Sequence, residues 1–181
     1  GAAAKAEGWQ VLSPFRNQIL GARDINRLIQ RTFRQSAIDW ARDSNAPPFN
    51  RRMPRITRPR GPEEIVYGDK VINVRNHKRS KVYPKDGALT YIANGEIGVV
   101  TGQTKKTTDT WKGLPWLTKV EFSSQPGFVY DYDAGDFDDE GSPLLELAYA
   151  VTVHKAQGSE FGITFLVIPE KHPLVTRELL Y

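Results

Sequence analysis

The sequence contains no cysteine among its 181 residues. Disulfide bonds, thiolate metal sites and cysteine nucleophiles are therefore excluded for this chain. Histidine is also scarce, and its three copies lie far apart at His77, His154 and His172. None of them forms the His-Glu-x-x-His pair of a zinc hydrolase, so we expect this chain alone to hold no catalytic metal.

Long apolar runs are absent as well. No stretch approaches the roughly 18 consecutive apolar residues that a membrane span needs. The N-terminus also lacks the charged, apolar and small-residue regions of a signal peptide. The hydrophobic fraction of 39% is still sufficient for a sizeable core. We therefore expect a soluble, cytoplasmic protein with no membrane partner.

The net charge of +4 is unevenly distributed along the chain. Residues Arg51–Arg60 include five arginines and no acid, whereas Asp131–Glu140 include six acids and no base. The arginines suit binding to phosphates, but Pro54 and Pro59 equally favour an extended, solvated connector. The acidic stretch does not match the spacing of an EF-hand, which favours a solvated loop over a calcium site.

The N-terminal part of the chain has the pattern of an α/β unit. Trp9–Ser13 is a short apolar segment that Pro14 ends, which predicts a strand. Ala22–Gln35 then predicts an amphipathic helix. The apolar positions at helical spacing are Ile25, Leu28, Ile29 and Phe33.

A second module of short strands follows a connector at residues 44–66. The predicted strands lie in Gly68–Arg75, Ile92–Gly102, Leu117–Phe122 and Gly127–Tyr132. Asn94-Gly95 beside a β-branched run is a strong turn signal. Short strands at these intervals predict a small β-barrel that closes on itself.

The α/β pattern returns after residue 141. Leu147–Val153 predicts a strand, and Ile163–Ile168 is an uninterrupted apolar run, as expected for a strand buried on both faces of a parallel sheet. Pro173 stands where a further helix could begin. We therefore expect a split α/β domain that carries a β insertion and is either truncated at its end or completed by another chain.

Donor side chains cluster directly after the predicted strand at Leu147–Val153. This segment contains Thr152, His154, Lys155, Gln157 and Ser159, and Gly158 permits close backbone approach. Ligands of α/β sheets bind at the carboxyl ends of strands. Composition alone favours an ordinary strand-to-helix connection with solvated polar residues.

Three segments of the sequence, in this order, resemble parts of a known family. The run V-T-V-H-K-A-Q-G-S-E-F (Val151–Phe161) closely resembles motif V of superfamily-1 helicases, and in particular of the RecD-like branch. Trp9–Gln30 resembles the segment around motif IV, a strand that ends in Ser-Pro-x-Arg before a helix with Asn-x-Leu. Residues 68–100 resemble the small SH3-like barrel inserted in the second motor domain of that branch.

The resemblance implies an α/β fold: a partial RecA-like P-loop NTPase second motor domain, split by a small SH3-like β-barrel insertion. Residues 8–43 would be the first part of this motor domain, and residues 44–66 the connector. Residues 67–140 would be the SH3-like insertion, and residues 141–181 the truncated second part.

The resemblance also implies roles for individual residues. Arg16 would be catalytic, reaching the γ-phosphate of ATP and stabilising charge in the transition state. Further nucleotide contacts would come from Gln157, Gly158 and Glu160. The contacts to single-stranded DNA would come from Thr152, His154 and Lys155. This chain departs from the family pattern directly after Arg16, where Asn17-Gln18-Ile19 stands instead of a more basic or glycine-rich stretch.

Two parts of a motor are missing from the sequence. It has no Gly-Lys pair, and hence no phosphate-cradling GxxxxGK[ST] loop. Its single Asp-Glu pair, Asp139-Glu140, lies in a hydrophilic stretch that does not suit a magnesium site. We therefore expect the fragment to be inactive alone and to bind neither ATP nor Mg²⁺ by itself.

The resemblance implies that the full-length protein is an ATP-dependent DNA helicase that uses ATP and Mg²⁺. It would move 5′ to 3′ on single-stranded DNA, in DNA repair or recombination. Its expected partners are single-stranded DNA and the N-terminal motor domain of the same protein, with other repair proteins as further candidates.

A non-enzymatic module that binds nucleic acid or protein through the barrel is the alternative. Five aromatic residues of the predicted insertion bear on it, because they could stack on bases or fill the barrel core. Core positions are the favoured interpretation at strand spacing. These residues are Trp111, Trp116, Phe128, Tyr130 and Tyr132.

Overall fold

The computed structural model describes residues 3–43, 58–105, 116–137 and 143–168. Most of the connector and of the arginine-rich stretch, at residues 44–57, lies outside the described residues. The same holds for Trp111, for residues 138–140 of the acidic stretch and for the helix expected after Pro173. Predictions on these segments stay predictions.

The described residues form strands, two α-helices and two short 3-10 turns. The helices are α1 (Ala22–Arg42) and α2 (Val153–Ala156), and the 3-10 turns are Ala3–Lys5 and Ala134–Phe137. The strands are β1 (Trp9–Ser13), β2 (Lys70–Asn73), β3 (His77–Lys78), β4 (Val82–Tyr83), β5 (Tyr91–Ile92), β6 (Ile97–Lys105), β7 (Trp116–Phe122), β8 (Val129–Tyr132), β9 (Leu145–Leu147), β10 (Ala150–Thr152) and β11 (Ile163–Leu166).

A three-stranded parallel sheet in the order β10-β1-β11 brings the two ends of the chain together. In its register Val11 lies opposite Ala150, and Trp9 lies opposite Ile163. Helix α1 follows β1 and packs on one face of this sheet through Ala22 and Ile25, which contact Ala150. The α/β part of the predicted fold is therefore confirmed.

The strands between the two halves form an antiparallel sheet in the order β4-β8-β7-β6-β2-β9. Side chains from all six strands meet in one core. The edge strands β4 and β9 do not pair with each other, and β3 and β5 form a separate two-stranded sheet. The expected closed barrel is therefore wrong for the described residues, because β3 and β5 pair apart from the larger sheet and leave it open.

The antiparallel sheet covers the face of the parallel sheet that α1 leaves free. Ile72 of β2 and Ile97 of β6 pack against Ala148 and Val151. Strand β9 lies beyond the predicted insertion at residues 67–140, yet it pairs with β2 in the larger sheet. Only Ala148 and Tyr149 separate β9 from β10, so the chain passes directly from one sheet to the other.

Helix α1 differs from the prediction in its length and its buried face. It has 21 residues and ends at Arg42, beyond the expected end at Gln35. Leu28 and Phe33 were expected on the packed face, but they are 64% and 74% exposed. The packed face also contains the buried polar side chains of Asn26 and Gln30. Their hydrogen bonds to backbone carbonyl groups are not visible in a hydrophobicity pattern. No helix within the described ranges is long and apolar enough to span a membrane.

Strand β11 was expected to be buried on both faces, and this is wrong for the described part of the chain. The strand pairs with β1 at the edge of the parallel sheet. Ile163 and Phe165 are exposed, as is Ile168 just beyond the strand. An apolar run in the sequence indicates that burial of the strand is favourable. The elements packed around the strand determine which of its faces are covered.

A buried carboxylate, that of Asp69, links α1 to both sheets. It accepts hydrogen bonds from Val66 N (2.8 Å), Gln30 Nε2 (2.7 Å) and the hydroxyl of Tyr149 (2.8 Å). Arg34 Nε lies 3.5 Å from Asp69 Oδ1, the same oxygen that accepts the hydrogen bond from Tyr149. Burial raises the pKa of Asp69, and these donors oppose the rise because they favour the ionised form.

Lys70 of β2 gives a measurable pH dependence of stability. It is buried, donates from Nζ to Trp9 O at 2.7 Å, and lies 4.9 Å from the centre of the Trp9 ring. Burial lowers its pKa from 10.5 to about 8. Between these two values the unfolded chain binds more protons than the folded chain, so stability rises with pH.

We predict that the contribution of Lys70 to the free energy of unfolding rises by roughly 1–2 kcal/mol from pH 8 to pH 9.5. Lys70→Met removes that rise, because methionine has no titrating group. Urea unfolding at both pH values measures it, with the exposed Lys85→Met as the control that keeps the wild-type slope. An unchanged slope in Lys70→Met would contradict the assignment.

Candidate functional site

The loop after β1 presents Arg16 at the carboxyl edge of the parallel sheet. Ser13 Oγ accepts from Phe15 N (3.3 Å) and donates to Leu20 O (3.0 Å), which holds both ends of the loop. Gly21 has no room for a side chain, since a Cβ there would lie 2.8 Å from Arg16 O. The Arg16 side chain leaves this loop 49% exposed.

The segment after β10 reaches the same edge of the sheet. Thr152 caps the short helix α2, where its Oγ1 accepts from Lys155 N at 3.3 Å. Gly158 then turns the chain with a φ of +80°, a conformation that favours glycine. The threonine at position 152 therefore has a local structural reason, because its side chain caps α2.

Glu146 joins the two loops. Arg16 Nη2 forms an ion pair with its Oε1, and Lys155 Nζ donates to its Oε2 at 3.1 Å. Its side chain is 14% exposed and belongs to β9 of the antiparallel sheet. Glu146 was not predicted from the sequence, because a single acid in the segment Leu-Glu-Leu carries no signal. It also lies 130 positions from Arg16 in the chain.

A second ion pair lies in the same pocket. Arg23 Nε is 3.7 Å from Glu63 Oε1, and Glu63 also accepts from Leu147 N at 2.5 Å. Burial raises the pKa of Glu63, and the Leu147 hydrogen bond opposes the rise. The charged residues that line the pocket are Arg16, Arg23, Lys155, Glu63 and Glu146. Three cations thus face two carboxylates, which leaves the pocket with an excess of positive charge.

Asn26 of α1 fixes the strands behind this pocket. Its Nδ2 donates to Leu147 O and Ala150 O, both at 2.9 Å. Its Oδ1 accepts from Ala150 N at 2.7 Å. Because these contacts reach both β9 and β10, Asn26 holds Glu146 and Thr152 at neighbouring positions.

Three further predicted site residues line a separate cleft of about 410 Å³ between α2 and the loops of the antiparallel sheet. Gln157, Gly158 and Glu160 lie there, opposite Glu96 and Ser123. Lys155 lines both the cleft and the pocket of Arg16. The structure thus brings Arg16 together with Thr152 and Lys155 rather than with Gln157, Gly158 and Glu160.

His154 is exposed and lines neither of these two cavities. No group of three or more His, Asp or Glu side chains in residues 3–43, 58–105, 116–137 and 143–168 is arranged to hold a metal ion.

The aromatic side chains of β8 are not available for stacking on bases. Tyr130 and Tyr132 are fully buried. The Tyr130 hydroxyl donates to Leu89 O at 2.8 Å, and the Arg79 guanidinium lies 3.9 Å from the centre of the Tyr132 ring. The core interpretation is therefore confirmed for these two residues, and Phe128 is also partly buried against the same core.

Sequence comparisons identify similar proteins for the C-terminal strands and for most of the chain. The family described as UvrD-like helicase C-terminal domain matches residues 147–181. The ATP-dependent RecD2 DNA helicase of Deinococcus radiodurans is 34% identical over 113 residues, which cover 58% of this chain and 15% of that protein. The RecBCD enzyme subunit RecD of Haemophilus influenzae is 23% identical over 171 residues, 94% of this chain and 19% of that subunit.

The chain thus spans less than a fifth of the length of these two relatives. A structural comparison with the crystal structure of Pif1 helicase from Candida albicans gives a TM-score of 0.35 and 17% identity, over 59% of this chain and 27% of that chain. This structural similarity is too low to identify a fold.

We predict that Asn26→Ala destabilises the chain by roughly 2–4 kcal/mol, because it leaves buried backbone groups of β9 and β10 without partners. Urea unfolding measures the loss. Arg27→Ala, an exposed neighbour on the same helix, is the control and should change stability little. Equal stabilities of the two variants would show that Asn26 does not hold the strands.

Proposed function

We propose that this chain, a relative of the RecD-like helicases of superfamily 1, forms part of the second motor domain of an ATP-dependent DNA helicase. The observation that carries the proposal is the meeting of two segments at the carboxyl edge of the parallel sheet. Arg16 lies on the loop after β1, whereas Thr152 ends β10 and Lys155 lies in α2. In open α/β sheets this edge is where ligands bind.

Arg16 is the proposed catalytic residue of this chain. Its guanidinium is half-exposed and stands in a pocket with an excess of positive charge, which suits contact with a phosphate group. In phosphoryl transfer an arginine stabilises the charge that develops on the transferred group. ATP bound by a partner motor domain would present its γ-phosphate to Arg16.

The residues around α2 have the proposed contacts to both ligands. Thr152, His154 and Lys155 would donate to phosphates of single-stranded DNA, and Gln157, Gly158 and Glu160 would contact the nucleotide. The exposure of His154 and of the Gln157–Glu160 turn leaves these groups accessible. One short segment would then contact both ligands. This gives a physical route by which the bound nucleotide changes the binding of single-stranded DNA.

The remaining parts of the proposed motor come from outside this chain. The sequence has no phosphate-binding GxxxxGK[ST] loop, so the N-terminal motor domain of the complete protein would supply it. Magnesium held by that domain would neutralise charge on the phosphates. We further propose that the complete protein moves 5′ to 3′ along single-stranded DNA.

We predict that Arg16→Ala lowers kcat for DNA-stimulated ATP hydrolysis by the complete protein at least about 100-fold, since a charge-stabilising arginine is lost. Glu160→Ala should raise KM for ATP about tenfold through the loss of one hydrogen bond to the ribose. Steady-state hydrolysis measures both, with the exposed Arg27→Ala as the matched control. Wild-type turnover in both variants would favour the non-enzymatic binding module instead.

We predict that His154→Ala weakens the binding of single-stranded DNA about tenfold, because one donor to a phosphate is removed. Fluorescence anisotropy with a labelled oligothymidylate measures the Kd. His77→Ala, an exposed histidine on β3, is the control and should keep wild-type affinity. Equal effects of the two substitutions would argue against a specific contact at His154.

A further inference from the structure

Glu146 is the side chain in the described structure that contacts both cations contributed by the two loops. One of its carboxylate oxygens pairs with Arg16 and the other accepts from Lys155 Nζ at 3.1 Å. Each oxygen therefore has a different cationic partner. Glu146 comes from the antiparallel sheet, whereas Arg16 and Lys155 follow strands of the parallel sheet.

The two partners of Glu146 are held to different degrees. Lys155 is anchored at its backbone by the Thr152 cap and its side chain is 27% exposed. Arg16 stands on a loop and its side chain is 49% exposed. A half-exposed ion pair is weak, because solvent screens it. An anion with more charge than one carboxylate can therefore displace Glu146 from Arg16 while Lys155 stays in place.

We propose that Glu146 is a positioning residue that holds Arg16 in a resting position. The terminal phosphate of a nucleotide then replaces Glu146 as the partner of Arg16. The proposal rests on the proposed function, since it assigns a regulator to the same site. A phosphate competes well for Arg16, because its several oxygens can engage the guanidinium fork in two hydrogen bonds. Glu146 keeps its contact with Lys155, so the antiparallel sheet remains linked to the segment at α2 during this exchange.

The position of Glu146 in the antiparallel sheet determines which contacts between the two sheets this exchange breaks. Glu146 lies opposite Ile72 of β2, and Ile72 packs against the parallel sheet through Val151 and Ala148. Release of Arg16 therefore breaks an ion pair across the junction of the two sheets without removing its apolar contacts. Nucleotide binding loosens one polar link between the antiparallel sheet and the loop after β1.

The first test is Glu146→Gln in the complete protein. Glutamine keeps the size of the side chain but lacks the charge that competes with phosphate. KM for ATP is expected to fall three- to fivefold, the range of a weak ion pair, with kcat at saturating ATP and DNA within twofold of wild type. Glu64→Gln is the matched control, because Glu64 pairs with Arg42 at the other end of α1.

An unchanged KM in Glu146→Gln, or a loss of kcat of tenfold or more, would overturn the proposal. Unchanged KM would mean that Glu146 does not compete with the nucleotide. A large loss of kcat would mean that the catalytic step needs Glu146 itself. A purely structural role would change the melting temperature but would not separate KM from kcat in this way.

A second measurement uses the complete protein and does not depend on ATP turnover. Sodium pyrophosphate is titrated into the wild-type protein, and the side-chain NMR signal of Arg16 is followed, with Arg16→Lys used for its assignment. We expect the Arg16 signal to shift on binding, and the Kd to be several-fold lower in Glu146→Gln. An Arg16 signal that does not respond would overturn the proposal.

The two measurements separate the proposals. A complete protein without ATP turnover would contradict the proposed function, and the pyrophosphate titration would still decide the role of Glu146. If Arg16→Ala loses turnover as predicted while Glu146→Gln behaves as wild type, the proposed helicase function stands. The proposed role of Glu146 in holding Arg16 is then contradicted.

Discussion

Buried polar groups need hydrogen-bonding partners, and this requirement determines how the two sheets meet. The Asp69 carboxylate is fully buried, and its donors come from α1, from the segment before β2 and from Tyr149 between β9 and β10. Losing one donor would leave a buried charge incompletely paired, which is costly in a low-dielectric interior. Asn26 imposes the same constraint on the strands themselves, since its amide serves both β9 and β10.

This constraint positions the candidate site. Because Ala148 and Tyr149 alone separate β9 from β10, fixing that junction places Glu146 of one sheet beside the loops of the other. Arg16 and Lys155 then share one carboxylate, although they lie far apart in the sequence. Side chains that have no apparent signal in the sequence thereby determine the charge of the pocket.

Particular residues show how far the sequence could be interpreted. The strand at Trp9–Ser13 and the polar segment after β10 were predicted correctly, because period and turn chemistry are local, and the resemblance to the RecD-like branch is confirmed. Leu28, Phe33 and the closed barrel were predicted wrongly. Spacing identifies a helix but does not show that its packed face contains Asn26 and Gln30, and strand signals do not say whether β4 reaches β9. The roles of Arg16, Thr152, His154, Lys155, Gln157, Gly158 and Glu160 stay predictions.

The sequence by itself determined the α/β pattern interrupted by short strands, the Thr-x-x-Lys cap and the Gly158 turn, because each depends on residues close together in the chain. Tertiary structure alone decided that Glu146 lies between Arg16 and Lys155, that Asn26 and Gln30 are buried, and that the predicted site residues divide between a pocket and a cleft. The physical reason is that the deciding contacts join segments distant in the sequence, 130 positions for Arg16 and Glu146, 121 for Asn26 and Leu147, and 39 for Gln30 and Asp69. Over such separations, pairing register and buried hydrogen bonds, rather than local preference, set the distances.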